Sequence, residues 1–304
     1  LLTNTHKAHL ALLGANIIYG ANHMIAKGIM PEKIGPSAFI FVRVVGAGIL
    51  FWIIKSFLKD KIEKKDFPRL ILCGLLGVAI NQLFFFHGLN LTSPIDSSII
   101  ITSIPVMVLM FSAIILKEKI TTQKFIGLTV GGIGAVLLIW YGKSATGTSS
   151  VIGNLFVFIN ACSYALYLVV VKPMMAKYNS IAVVSWVFLF GFCFMFPIGI
   201  GDFLATDFSA FDLNTYLAVG FVVLFTTFFA YLFNIYALNY VAPSVNGSYV
   251  YLQPAVSFIM VSIYAYVLMH EEYAQDINLI KILSCLLVIS GVYLISKKPK
   301  SKLA

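Results

Sequence analysis

The sequence predicts an all-α integral membrane protein of ten transmembrane helices, arranged as two inverted-topology five-helix repeats. Three observations carry that reading. The chain is too apolar to face water, it divides into runs long enough to cross a bilayer, and its second half echoes its first at a fixed offset.

Of 304 residues, 60% are apolar and 11% charged, with a mean hydropathy of +0.94. A soluble domain carries roughly 25% charged residues because its surface faces water. So little charge cannot coat a sphere of this size, and the outer surface must face lipid. The formal net charge of +9 reads as a membrane-orientation signal and not as a nucleic-acid footprint, because the cations cluster at span ends. Cys73, Cys162, Cys193 and Cys285 fall inside apolar runs without metal-site spacing. They behave as small hydrophobes.

A hydrocarbon core of ~30 Å requires about 20 apolar residues at 1.5 Å per residue. Such runs lie near 8–29, 37–58, 69–90, 94–116, 124–141, 151–174, 181–201, 215–239, 244–268 and 278–296. The first has no small-residue cleavage site before a soluble region and reads as a retained span. Turn residues separate the runs: Pro31 to Pro36, the lysine-rich stretch from Lys59 to Arg69, and Thr92-Ser93-Pro94. Gly142 to Ser150, Asp202 to Asn214 and Ala242-Pro243 follow. With the N-terminus cytoplasmic, 16 Lys and Arg fall on that side and 4 on the other, with Arg43 inside a span. The positive-inside rule then places both termini in the cytoplasm of a multi-pass protein of the cell (inner or plasma) membrane.

Leu89-Asn90, Pro94 and Pro105 recur as Leu238-Asn239, Pro243 and Pro254, all 149 residues on. Glu118 and Gly134 find partners in Glu271 or Glu272 and Gly291, and Tyr19-Gly20 resembles Tyr164-Ala165. The halves are 8–141 and 151–296. Five spans per half is odd, so the halves enter the membrane in opposite directions, an architecture associated with alternating access around a midplane site.

Several stretches read in order resemble the EamA family of the drug/metabolite transporter superfamily. They are Ile17-Ile18-Tyr19-Gly20-Ala21-Asn22, Pro36 leading to Arg43, and Ile104-Pro105 followed by Leu116-Lys117-Glu118. Leu252-Gln253-Pro254 before Glu271-Glu272, and Gly127, Gly131, Gly132 and Gly134, complete the set. Lys117 and His270 stand where the family pattern has glycine before the glutamate. The resemblance implies a ten-span exporter or exchanger of amino acids or other small metabolites, with a cavity between the halves.

Polar residues inside a membrane are costly and face the protein interior. Helical spacing groups Tyr19 and His23 with Asn22 beside them, Asn81 with Phe85, and Ser98 with Thr102 and Pro105. It also groups Asn160, Tyr164 and Tyr167, then Thr227, Tyr231 and Asn234, and lastly Asn246, Tyr249 and Gln253. From these, Tyr19, Asn22, His23, Asn81, Phe85, Ser98, Thr102, Asn160, Tyr164, Tyr231, Tyr249 and Gln253 are the candidate solute-binding residues. Neutral hydrogen-bonding groups among aromatics suit a small amphipathic solute better than a bare ion.

Pro105 and Pro254 lie ~16 Å into helices starting at Pro94 and Pro243. As hinges they would free the carbonyls of Ile101 and Val250 toward the cavity. Arg43 sits ~9 Å inside span 2 at helical rise, deep enough to need a partner, and both a structural and a carboxylate-binding role stand open. Asp96 in the first turn of its span suits capping, while proton coupling through Asp96, His87 or His23 is the alternative. The glycines of span 5 would pack against span 10 or against a second copy.

A membrane enzyme or flippase acting on a lipid-like substrate is the rival class. His270-Glu271-Glu272 lacks the second histidine of a zinc motif, and no catalytic set, metal cluster or cofactor motif is visible. Nor is there the charge ring or filter loop of a channel. The expected function is therefore secondary transport of a small amphipathic metabolite. Amino acids or related compounds are favoured, in the export direction. The expected partners are the solute and membrane lipids, no nucleic acid, with monomer or homodimer undetermined.

Overall fold

The computed structural model describes residues 3–27, 29–30, 32–91, 100–141, 150–253, 255–256, 259 and 279–297, with only the backbone at 23–24, 26–27, 138–141 and 281. The described regular structure is helical. It comprises α1 (Asn4–Lys27), α2 (Pro36–Ser56), α3 (Lys64–Leu91), α4 (Ile104–Ile115) and α5 (Thr122–Tyr141). Then follow α6 (Val151–Met175), α7 (Ser180–Ala205), α8 (Leu213–Ala237), α9 (Pro243–Ser248) and α10 (Leu279–Ser296). Helices α2, α3, α6, α7 and α8 are long and apolar enough to cross a membrane, and α4, α5 and α10 contain shorter apolar stretches.

Local chemistry explains where the helices start. Pro36 and Pro243 occupy the first turns of α2 and α9, where a missing N–H costs nothing and φ is already helical. Ser150, Asn179 and Asp212 cap α6, α7 and α8, each accepting a backbone N–H through its side-chain oxygen. Apolar side chains such as Ile49, Ile53, Ile114, Ile133, Phe196 and Leu286 point outward and are exposed. That is the surface a bilayer would cover.

Two helices depart from α geometry at matching places. In α3, Leu75–Ile80 is π-helical, and in α8, Val222–Phe229 is. The 149-residue offset carries the first segment onto 224–229, inside the second. Packing repeats in the same way. α3 lies on α6 as α8 lies on α1, while α2 meets α7, α4 meets α9 and α5 meets α10.

The α5–α10 seam absorbs the glycine stripe of span 5. A Cβ on Gly291 would sit 2.4 Å from the Cα of Gly131, and one on Gly134 2.8 Å from the Ser284 carbonyl. Side chains are excluded there so that the two backbones can touch. The stripe thus faces α10.

Loop contacts sort the connections into two groups. At one end Lys33 meets Asp212 at 3.0 Å. The Thr215 hydroxyl and then Lys33 hold the Asp212 carboxyl down at about 2. At the other end Asp66 accepts from Tyr178 at 2.7 Å and from Lys177, and Glu118 bonds Lys124 and Ser244. Lys172 donates there to the carbonyls of Leu238 and Val241.

One expectation changes. Pro105 does not kink a continuous helix: the chain turns at Thr102–Ser103 and Pro105 stands in the first turn of α4. There the proline starts a helix, as its missing N–H favours. Pro254 and Pro94 lie outside the described residues, but Tyr249–Tyr251 just before Pro254 is a 3-10 turn. Lys117 has φ 54, a left-handed conformation that glycine would adopt without steric cost.

Candidate functional site

A π-helical turn pulls carbonyls out of the regular i→i−4 ladder, and such turns occur frequently at functional sites. Around α3 the loosened carbonyls are met by side chains from other helices. Ser163 donates to Leu76 O at 2.6 Å, Tyr231 to Gly77 O at 2.9 Å and Asn160 to Asn81 O at 2.7 Å. Around α8, Thr227 donates to Val222 O at 2.8 Å and Thr226 donates to Asn22 Oδ1 at 3.2 Å. Arg43 Nε donates to Thr227 Oγ1 at 3.0 Å. The two segments therefore tie α1, α2, α3, α6 and α8 together at one level of the bundle.

Between them lies a cavity of about 120 Å³. For scale, an apolar cavity of about 150 Å³ accommodates benzene. Tyr19, Asn22, Asn81, Phe85, Asn160, Tyr164, Tyr231 and Gln253 line it together. Tyr19 and Tyr164, the matched tyrosines of the two halves, are both in the wall. Ile101 and Val250, the residues four before Pro105 and Pro254, line it too. Gln253 donates to Asn16 Oδ1 at 3.1 Å, which sets its amide.

The remaining candidates fall elsewhere. Thr102 is buried but lines a lateral groove between α4 and α5 with Ser103, Val106 and Phe125. Tyr249 pairs with His9 Nδ1 at 2.8 Å and stacks on that ring, away from the cavity. The 3-10 turn at Tyr249–Tyr251 rotates ~120° per residue instead of ~100°, and it brings Val250 to the wall in place of Tyr249. Ser98 and Asp96, and the side chain of His23, lie outside the described residues. His87 sits beside Ser37 at 3.3 Å and is not in the wall.

Arg43, Gln82, Phe86, Thr226 and Ile104 complete the lining. Thr226 was hidden by the period used to read the sequence. Thr226 lies inside the π segment and Tyr231 two residues beyond it, and the wider π turn shifts which residue shares the face of Tyr231. Gln82 pairs at i, i+4 with Phe86 and widens the α-helical face of Asn81 and Phe85, so ordinary helical spacing could have found it.

Arg43 is 5% exposed. Its guanidinium carbon is 5.0 Å from the centre of the Phe86 ring and 5.6 Å from that of Phe39, within cation–π range. Among the described residues no carboxylate lines the cavity or pairs with Arg43, and no cluster of His, Cys, Asp and Glu could hold a metal. The cavity is an aromatic and amide-lined chamber with one cation in its wall.

Comparison with known proteins gives a consistent picture. The EamA-like transporter family matches this chain twice, over residues 6–140 and 151–297. An uncharacterized transporter of Archaeoglobus fulgidus is 27% identical over 87% of this chain and 90% of its own length. The uncharacterized transporter YetK of Bacillus subtilis is 25% identical over 83% of this chain and 78% of its own length. A solved crystal structure superposes with a TM-score of 0.73 at 17% identity, over 94% of this chain and 95% of that one, a likeness of fold alone.

Proposed function

Because this chain belongs to the EamA-like transporter family, we propose that it is a secondary transporter carrying a small amphipathic metabolite through the central cavity by alternating access. The observation that carries this reading is the cavity itself. Its wall draws on α1, α2 and α3 from the first half and on α6 and α8 from the second, so any rocking of the halves would remake it.

Inverted five-span repeats are supported by the paired π segments and by the swap-related packing of α3 on α6 and α1 on α8. Ten spans with both termini on the cytoplasmic side of the cell membrane fit the two sets of loop contacts. The set holding Asp66, Lys172, Lys177 and Glu118 belongs to the lysine-rich loops, and the set holding Lys33 and Asp212 to the lysine-poor ones. Ile101 and Val250, beside the broken turns of α4 and α9, would supply the hinge with Pro105 and Pro254. Amino acids and related small compounds, moved outward, are the substrates to try first.

The test is solute counterflow in liposomes holding the purified protein, preloaded with single members of a panel of amino acids, amines, small carboxylic acids and amides. Saturable exchange of at least one panel member, lost in Asn160→Leu or Tyr164→Ala, is expected. Exchange that never saturates for any member, from protein shown to be folded, would refute the carrier reading.

A further inference from the structure

We infer that the cavity recognises its solute through a carboxylate held by Arg43, and that the substrates are small monocarboxylates with an apolar or aromatic body. This rests on the carrier reading above and narrows it. A guanidinium has five N–H donors in a planar fork. In Arg43, Nε is engaged by Thr227, and the plane lies near Phe39 and Phe86. Among the described residues, the two terminal nitrogens meet no protein acceptor. The side chain is nonetheless buried and forms part of the cavity wall. A fork fixed at its root and open at its tips matches a carboxylate, which can accept two parallel N–H bonds.

The surroundings sharpen the choice. Gln82, on α3, also lines the cavity and is 3% exposed, yet neither its amide oxygen nor its nitrogen has a hydrogen-bond partner. The Tyr231 hydroxyl, which lies beside Gln82, gives its one hydrogen to Gly77 O, so Gln82 Oε1 finds no donor there. An unpaired buried amide is expensive, and a solute that accepts from Gln82 Nε2 beside Arg43 would relieve it. Phe85, Phe86, Ile101, Ile104 and Val250 form the apolar part of the wall, beside the rings of Tyr19, Tyr164 and Tyr231 and the amides of Asn22, Asn81, Asn160 and Gln253.

The described wall offers no carboxylate for an ammonium. On this proposal an amino acid is held mainly by its acid end, with no charge partner for its amine, so removing the amine should not weaken binding. That separates this proposal from simple amino-acid recognition, in which both charged groups are read.

The experiment keeps the carbon frame and varies the charge. Apparent melting temperature of the purified protein is measured with 3-phenylpropanoate, phenylalanine, 2-phenylethylamine and 3-phenylpropanamide, each from micromolar to millimolar concentration. A ligand of the folded state raises stability as RT ln(1 + [L]/Kd). Expected is a saturable upward shift with 3-phenylpropanoate at least as large as with phenylalanine, and none with the amine or the amide. In Arg43→Gln the acid-specific shift should vanish, and in Arg43→Lys, a point charge without the fork, the apparent Kd should rise at least tenfold.

An equal shift from amide and acid overturns the proposal, as does a shift confined to phenylalanine or the amine, or no acid-specific shift at all. If Arg43→Gln does not fold, the acid–amide pair on the unaltered protein still decides. Counterflow with an amine or amide would leave the carrier reading intact while sinking this one, so the two failures are distinguishable.

Discussion

The π segments of α3 and α8 occupy equivalent places in the two halves, yet different chemistry satisfies them. Around Leu75–Ile80 the partners are neutral: Ser163, Asn160 and Tyr231 each donate to a backbone carbonyl. Around Val222–Phe229 the bonding groups are buried threonine hydroxyls, and a buried arginine from α2 donates to one of them. The duplicated element is the distortion, which opens the space. The single-copy element is the charge, which gives the space a preference. Positions 149 residues apart can thus share backbone geometry and differ in what they recognise.

The largest effect expected from breaking this contrast comes at Thr227. Thr227→Val leaves the Arg43 Nε–H and the Val222 carbonyl without their hydroxyl partner. Losing a bond to a buried charge costs about 1.5–3 kcal/mol, so the apparent melting temperature should fall by several degrees. Arg43→Met should move the other way in the absence of ligand. A lone charge near the centre of a membrane helix costs about 2.5–3.5 kcal/mol on insertion scales, and here its offsets are one hydrogen bond and two ring faces. A rise of about 1 kcal/mol is expected, within the span seen when buried charges become apolar. The double substitution should then be less damaging than the sum, because Thr227 no longer has a cation to serve. Strict additivity in that cycle would show that the two side chains are not coupled.

The neutral side should respond more mildly. Tyr231→Phe removes the only polar atom that reaches Gly77 O from α8 among the described hydrogen bonds. Asn160→Leu does the same for Asn81 O from α6. Each should cost about 1–2 kcal/mol, the range for a buried neutral group left unpaired. A larger loss at Tyr231 or Asn160 than at Thr227, compared by thermal unfolding in the same detergent, would reverse the contrast drawn above.

Most helix positions were legible in the sequence because lipid imposes length and apolarity on every span, and breakers such as Pro36, Pro243 and Asp212 mark the ends chemically. The cavity was partly legible for the same reason: polar residues inside an apolar run have to face inward. What α-helical spacing could not show was the widened turn. Thr226 joins the wall from within the π segment, and Tyr249 is displaced from it where a tighter turn intervenes. Neither departure has a composition signature: Leu75–Ile80 reads LLGVAI, an ordinary apolar run. The surroundings of Arg43 were equally invisible, since a sequence gives a cation but not that the described residues beside it are aromatic and neutral.

The smallest effect expected concerns a left-handed residue at the turn after α4. Lys117 closes the turn after α4 at φ 54, and the next residue, Glu118, is held by Lys124 and by Ser244 of α9. The Glu118 N–H closes the helix end by donating to Ser112 O at 3.1 Å, a C-cap in which the residue before it is left-handed, while the Glu118 side chain reaches across to the other half. For an L-residue that conformation costs roughly 1–2 kcal/mol, which glycine avoids. Against this, glycine adds freedom to the unfolded chain, offsetting about 0.5–1 kcal/mol. Lys117→Gly should raise the apparent melting temperature by about a degree or two, on the scale of 2–4 °C per kcal/mol for a chain of somewhat smaller size. The same substitution combined with Ser244→Ala should keep its gain if the strain belongs to the turn alone. It should lose the gain if the tie to α9 is what forces φ positive, because the turn is then free to relax with lysine in place.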